Sequence, residues 1–577
     1  VLTRRRIILG LLAVVVVGVA ATAWQLWRVQ RDLTGADDAA ERLRSSIDTG
    51  DAATRQTAID DLRTSAAAAH DHSDGPWWGL LTHLPLVGDD VTGVRALGAS
   101  LDTVATDGIQ PLADTVDDLG DLSTGGAVDL DAVAGLQQPM QQAARAFTAA
   151  RDDVAGLDTS GYAGPLKGRF DDYVDDVTRY ARGVSSTAKA TTVLPDMLGA
   201  AGPRNYLLVF QNNAEIRSTG GLPGSWALLH AEDGRLSLEQ QGAGSGFDRL
   251  DAPVLPLTKE EDAVYSDLLG VFFLDANFTP DFPRAAELWK ARWERDYAGT
   301  TLDGVLTLDP VALSYLLRGT GPVDYQGATL TADNVVQQLL NQSYLTLDVA
   351  AQDAYFAGAA KAIFDAATQP LASPLDFVRG MSRAADEGRF RLASYDDPVE
   401  QALATSRLRG ALPDDDGTDP HVEITLNDAT GSKMSYYLRY QARVTSQSCT
   451  QGQQTLLGTM SLNQTITSAM AAELPDYVNG GGNFGTEPGL QTVALRIYSP
   501  TGGALGPLTI DGDTIDYTAQ PLDGRQVTTL LVQINGADDV VVNWSMTSGA
   551  GQTGSGSVGV TPGVVAGTKD STFRSSC

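Results

Sequence analysis

The sequence predicts a multidomain chain: an N-terminal transmembrane helix, a helical bundle or stalk, an α/β domain and a C-terminal all-β, immunoglobulin-like sandwich. Three observations carry this. An uncharged, mainly apolar run from Ile7 to Trp27 is followed by about 170 residues whose apolar positions recur every three or four. Helical and strand patterns then alternate to about residue 410, and from about 420 only short alternating runs between Gly, Asn, Asp and Pro clusters remain. At 577 residues the chain exceeds the size at which one core keeps growing, so several units are expected.

At the N-terminus, Arg4, Arg5 and Arg6 precede the apolar run, and Trp24 and Trp27 sit where interfacial aromatics belong. This predicts a cytoplasmic tail over 1–6, a retained signal anchor over 7–27, and a single-pass membrane protein with its bulk extracytoplasmic. Ala21-Thr22-Ala23 also resembles a signal-peptide cleavage site, which is the alternative. The bundle or stalk is expected over 28–198. Leu33, Ala36, Ala40 and Leu43 form one stripe, and Ile59, Leu62 and Ala66 a second beyond a turn capped by Asp51. Pro139 is expected to kink or delay the helix carrying Ala143, Phe147 and Val154. His70 and His72 read as solvated residues at a helix end, and Trp77 and Trp78 as packing at a helix junction.

The α/β domain is expected over 199–415. "YLLVF" from Tyr206 has strand length, "GSWALLHAEDGRLSLEQQG" reads as two strands joined at Asp233-Gly234, and Asp309-Pro310 caps a helix. The sandwich is expected over 420–577. Cys449 and Cys577 lie in that part, and they either form a disulfide closing a loop of roughly 130 residues or remain free thiols.

The formal charge of −31 argues against nucleic acid or an anionic polymer gripped over a wide surface, so an anionic ligand needs a local cationic pocket. Scattered histidines and distant cysteines leave no structural zinc pattern. The Gly-x-Ser-x-Gly elbow, the His-Glu-x-x-His helix, the P-loop and the dinucleotide fingerprint are all missing.

The main candidate site follows "YLLVF". Gln211, Asn212, Asn213, Glu215, Arg217, Ser218 and Thr219 lead into Gly220-Gly221, the kind of strand end at which an α/β domain meets a ligand. Arg217 offers a planar fork to phosphate or carboxylate, and Glu215 is a candidate base. The alternative is a buried turn whose polar side chains bond its own backbone. A second candidate, "FFLDANFTPDFPRAAELW", offers Asp275 and Asp281 among four phenylalanines as a sugar or lipid pocket, or as a loop that caps a helix with Asp281.

"YLLVFQNNAEIRSTGGLPGS", "NFTPDFPRAAELW", "LDGVLTLDPVALSYLLRGTGPV" and "LPDYVNGGGNFG" resemble the membrane-anchored proteins of high-GC Gram-positive bacteria grouped as domain of unknown function family 4012. That resemblance implies a place in the bacterial cell envelope and an architecture, but no activity. The strand leading to "EIRST" and the later "LDGVLTLDPVALSYLLRGTGPVDY" are also similar to the LytR-CpsA-Psr family, which moves glycopolymers from a polyprenyl pyrophosphate lipid to the wall. Arg217 and Ser218 match the Arg-Ser of that family's motif. Glu215 replaces its earlier acid, Thr219 stands at its second Asp, and a further arginine after the hairpin has no clear counterpart. This similarity implies a lipid-linked or wall-associated glycan as partner alongside the cytoplasmic membrane. It implies a glycopolymer phosphotransferase only if a divalent metal such as Mg2+ is held. The rival expectation is a non-enzymatic interaction protein acting through its sandwich.

Overall fold

Asp51 starts the second helix of the chain by accepting hydrogen bonds from the Ala53 and Thr54 amides, both at 3.1 Å. It thereby sets the helix Ala52–Ser73 back against the helix Leu2–Thr49. In this computed structural model residues 2–49, 51–85, 87–116, 123–124, 126–404, 406–413 and 417–577 are described. Most side chains before Trp24, those of Arg4, Arg5 and Arg6 among them, lie outside that description. The chain divides into two compact units, one of residues 1–122 and 129–195, the other of 123–128 and 196–577.

The first unit is helical. Ala36, Ala39 and Leu43 pack against Ala58, Ile59, Leu62 and Ala66, so the stripe runs through Ala39 while Ala40 faces water. Among the described residues no helix is long and apolar enough to cross a membrane. This overturns the expected transmembrane helix, and with it the signal anchor, the single-pass membrane placement and the cytoplasmic and extracytoplasmic assignments; the segment 7–27 itself falls largely outside the described side chains. Where it is described, the first helix sets exposed Arg31, Asp37, Asp38 and Glu41 opposite buried Val29, Ala36 and Ala39, the pattern of a bundle helix with one water-facing side.

Pro139 lies in the first turn of the helix Gln137–Ala155, where its missing N–H is no loss. Phe147, Ala150 and Val154 of that helix join Leu97, Val104 and Phe170 in a second small core. Trp78 is buried with Val29, Leu81 and Val91, whereas Trp77 is exposed. His72 is not a solvated residue: its Nδ1 lies 2.6 Å from the Asp32 carboxylate, which is buried. Burial pushes that carboxyl up, but the hydrogen bonds from His72 and Arg31 outweigh it and hold it below its ordinary value.

The second unit is mixed α/β and holds two layered parts. The first part is a seven-stranded sheet. It comprises β1 (Ser123–Thr124), β2 (Ala127–Val128), β3 (Arg204–Asn212), β4 (Leu222–Glu232), β5 (Arg235–Ala243), β6 (Gly304–Leu308) and, after the short hairpin β7 (Val323–Tyr325) and β8 (Ala328–Leu330), β9 (Phe390–Ser394). The order is β1-β2-β5-β4-β3-β6-β9. Asp233 (φ 48°) and Gly234 (φ 76°) form the tight β4–β5 turn, two left-handed residues that suit the twist of a hairpin.

Among the described pairs of this sheet only β3 and β6 run parallel, and side chains alternate across it. Leu207 and Val209 face Trp226, Phe273, Phe282, Trp289 and Trp293 on one side. Leu208 faces the helix Pro310–Thr320 on the other.

The all-β part places β10 (His421–Asp428), β13 (Gln491–Tyr498), β16 (Gln520–Leu522), β17 (Arg525–Ile534), β19 (Gly556–Val560) and β20 (Ser571–Phe573) in one sheet. The other sheet holds β11 (Leu438–Thr450), β12 (Gln453–Gln464), β14 (Ala504–Ile510), β15 (Asp513–Thr514) and β18 (Val540–Thr547). Val422, Leu426, Met460, Leu495 and Trp544 fill the space between them.

The two parts share their cores. Ile216, from the β3–β4 loop, is 1% exposed among the sandwich residues, and Tyr498 of β13 joins the tryptophan-rich core beneath the other sheet. Cys449 at the end of β11 is bonded to Cys577.

That disulfide closes a loop with a sequence separation of 128 residues. In the chain-entropy account it constrains the unfolded state by about 4 to 5 kcal/mol. A Cys449→Ser/Cys577→Ser double variant is expected to keep the native circular dichroism but unfold at lower guanidinium concentration; an unchanged midpoint would contradict the tie.

Candidate functional site

β3 and β6 end side by side, at Asn212-Asn213 and Leu308-Asp309, and the β3–β4 loop leaves from this edge. In an open α/β sheet this is the crevice in which a ligand is expected. Here the sandwich fills it. The Ser435 amide donates to Ala214 O at 3.1 Å and the Asp428 amide to Ile216 O at 2.9 Å, so the loop hydrogen-bonds to the sandwich backbone. Ser218 is held on both sides: its amide donates to Asn427 Oδ1 at 3.0 Å, and its carbonyl accepts from Thr561 Oγ1 at 3.2 Å.

Each candidate residue has an assigned place. Gln211 donates to Thr219 Oγ1 at 2.9 Å and accepts the Gly221 amide at 3.2 Å. Asn212 accepts the Ala214 amide at 3.0 Å and donates to the Tyr344 hydroxyl, while Asn213 donates to Asp309 at 3.0 Å. Thr219 also accepts from Asn277 at 2.9 Å. Gly220 has φ 137°, and a Cβ on Gly221 would stand 2.3 Å from the Asn212 carbonyl carbon, so neither position accepts a side chain without rearrangement. Gln211, Asn213, Glu215, Arg217, Ser218 and Thr219 are all buried.

The charged members form a closed network. Arg217 Nη2 lies 3.0 Å from Glu215 Oε1, and Lys433 donates to Glu215 Oε2. Arg217 Nη1 donates to Ile216 O at 3.1 Å and Asp428 O at 3.3 Å, and its guanidinium stands 5.3 Å from the centre of the Phe278 ring. Both Glu215 oxygens are thus engaged. Burial raises the Glu215 carboxyl, but Lys433 and Arg217 more than reverse this and hold it below its ordinary range. Arg217 Nε, Asn213 Oδ1 and Asn277 Oδ1 are buried without a protein partner.

Asp275 stands 3.8 Å from Arg217 and is pushed up to about 6 by burial, which Arg217 opposes and Glu215 reinforces. Asp281 is remote in role: it caps the helix Phe282–Asp296, accepting the Arg284 amide at 3.3 Å, and accepts the Leu412 amide at 3.0 Å.

A second buried network, absent from the sequence reading, lies at the end of β6. Arg389, fully buried, bonds Glu387 at 2.7 Å and Asp309 at 2.8 Å, and also donates to the carbonyls of Gly563 and Val565, both at 2.7 Å. Glu387 accepts from the Tyr315 hydroxyl at 2.7 Å and from the Gly567 amide at 3.0 Å. Asp309 therefore does more than cap its helix through the Ala312 amide at 2.7 Å. Lys433, Asp428 and Arg389 left little trace in the sequence. Their only signals were a polar Asn427-Asp428 at the end of an apolar strand and an arginine between two glycine-flanked runs.

Among the described residues no group of three His, Cys, Asp or Glu side chains is placed to hold a metal ion. At the strand ends the reason is visible: the Glu215 oxygens face cations, and the residues present do not fit a Mg2+ site.

Residues 201–344 match the family model described as "Protein of unknown function (DUF4012)", which supports the resemblance carried by the β3–β4 and "LDGVLTLDP" motifs. Neither a curated protein nor a solved structure gives a match to this chain.

Without Arg217 the buried Glu215 keeps Lys433 on Oε2 but loses the donor on Oε1. Arg217→Met is therefore expected to cost about 2 to 3 kcal/mol in chemical unfolding. A loss under about 1 kcal/mol would show that the pair is solvated.

Asp275 has a folded-state pKa above its ordinary 3.8, so the native state binds its proton more tightly than the unfolded chain. Its contribution to stability is then greatest below about pH 4 and is lost as pH rises through about 6. Asp275→Asn should remove that fall and raise the unfolding midpoint at about pH 7.5, while a midpoint lowered equally at both ends of the range would contradict the assignment.

Proposed function

We propose that this chain is a non-enzymatic binding protein, in which the sandwich closes the strand ends of the α/β part and itself presents the surface that meets a ligand. The observation that carries this is the occupied crevice. The loop from Asn213 to Gly221 is buried beneath Asn427, Asp428 and Lys433, and its one arginine is spent on Glu215 and on backbone carbonyls.

Transfer from a polyprenyl pyrophosphate needs the reverse arrangement: several unpaired cations around an open pocket, with room for a metal between them and two phosphates. The likeness to the LytR-CpsA-Psr family rests on Arg217-Ser218 and on the layout around "LDGVLTLDP". Those residues are accounted for here as a seam between two parts of one unit. A glycan, lipid-linked or wall-associated, is the ligand class that likeness suggests, and it is the class we propose for the sandwich side.

Arg217→Lys separates the two readings, because it keeps a cation but loses the fork. A binding scaffold is expected to retain glycan binding in this variant within about twofold, with a lowered unfolding midpoint and no release of glycopolymer from a polyprenyl-pyrophosphate donor in Mg2+ by either protein. Turnover by the unmodified chain that Arg217→Lys abolishes would overturn the proposal.

A further inference from the structure

Away from the strand ends, the sandwich carries a cleft of about 330 Å3 between the first half of β11, the second half of β12 and the segment 563–569. That volume lies at the small end of ligand sites and suits a body the size of one sugar.

Its construction is specific. β11 and β12 pair Arg439 with Asn463 and Gln441 with Ser461, which sets four polar side chains in two facing pairs along one wall. The opposite wall, Gly563 to Val565, is fixed from behind by Arg389, which takes the carbonyls of Gly563 and Val565. Tyr440 is buried between them, its hydroxyl donating to Thr561 O at 2.6 Å. The 563–565 wall therefore belongs to the same buried network that closes the end of β6.

The charge of the cleft is opposite to that of the protein. In a chain of formal net charge −31, the two ionisable groups lining it besides Tyr440 are Arg439 and Lys569. Neither has an acidic partner among the described residues. Arg439 uses Nη1 on the carbonyls of Tyr436 and Leu438, at 3.0 and 2.8 Å, and among the described residues its Nε and Nη2 make no hydrogen bond.

Lys569 makes no hydrogen bond or ion pair among the described residues, and its ammonium stands 5.5 Å from the centre of the Tyr440 ring. The acid next to it, Asp570, is engaged by Arg407 at 2.9 Å and by the Val560 amide at 3.0 Å. Asp539 reaches the rim through Asn463 Nδ2 at 2.6 Å. Burial, and then the charges of Arg389 and Arg439, hold the Lys569 ammonium below its ordinary range, and a bound anion would relieve this.

We propose that this cleft binds a monosaccharide unit bearing a phosphate or a carboxylate, with Arg439 and Lys569 on the anion and Gln441, Ser461 and Asn463 on the hydroxyls. It rests on the reading of the sandwich as the binding part, and it adds the ligand's charge and size. Charge-assisted hydrogen bonds from a guanidinium fork and an ammonium favour such an anion, while hydroxyls and amides on the strand wall match a sugar ring.

The test is calorimetric titration of the full chain at low salt with glucose 1-phosphate, glucuronate, glucose and inorganic phosphate. Lys569→Gln is the key variant, since among the described residues its side chain makes no hydrogen bond or ion pair and its ammonium meets the Tyr440 ring; Lys569→Gln/Arg439→Gln is the second. Both anionic sugars are expected to bind, at least about tenfold more weakly to Lys569→Gln and more weakly still to the double variant.

No binding of either anionic sugar up to about 10 mM, or equal binding to the double variant, would overturn the proposal. Inorganic phosphate binding as tightly as glucose 1-phosphate would overturn its sugar part. Glucose binding as tightly as glucose 1-phosphate would overturn the anion assignment while leaving the sandwich as the binding part. Glycan binding by the chain that competes with none of these probes would place the ligand elsewhere and overturn the site alone.

Discussion

Glu215 sits between Arg217 and Lys433, one cation from its own loop and one from the sandwich, and much of the second unit depends on that carboxylate being paired. A buried charge without a partner costs several kcal/mol, so the loop and the sandwich must meet in a register that brings Lys433 to Glu215. The register then places Ile216 in the sandwich core and Ser218 between Asn427 and Thr561. Arg389 repeats the device at the end of β6, joining Asp309 and Glu387 of the α/β part to the carbonyls of the segment 563–565. Together the two networks turn an open crevice into an internal seam.

This arrangement bears on function through what it leaves free. Where two parallel strands end, an α/β part usually keeps polar groups exposed for a ligand. In this protein most of those polar groups are buried in contacts within the chain, with Arg217 Nε, Asn213 Oδ1 and Asn277 Oδ1 left without a partner. Two cations without an acidic partner among the described residues, Arg439 and Lys569, lie instead in a cleft whose rear wall is positioned by Arg389. The seam and the cleft are thus mechanically connected: the same guanidinium that neutralises Asp309 holds the loop against which a ligand would rest.

Much of the architecture was legible in the residues. The Asp233-Gly234 turn, the Asp309-Pro310 cap, the Asp51 cap and the alternating strands of the sandwich each have a local physical cause, and each is read from a few neighbours. The exchange of Ala39 for Ala40 on the helical stripe is an error of one position in a periodic pattern.

The larger differences are of another kind. The length of the apolar run over 7–27, the three arginines before it and the tryptophans at its end predict a membrane span, whereas among the described residues no helix is long and apolar enough to cross one. The partners of Glu215 and of Asp309 are distant in the chain, Lys433 lying 218 residues from Glu215 and Arg389 80 residues from Asp309. No local pattern announces such a pairing. A polar cluster after a strand was therefore legible as a special place, but whether it meets solvent or another part of the chain was not.

Native-state hydrogen exchange on the full chain tests the central claim most directly. The amides of Ile216, Ser218, Asp428 and Ser435 each bond across the seam. If the sandwich closes the strand ends as one cooperative unit with them, these amides exchange with the same free energy of opening as the core amides of β3 and β13. Exchange of the Asn213–Gly221 loop through a separate, lower-energy opening, with both sets of strands still protected, would contradict it.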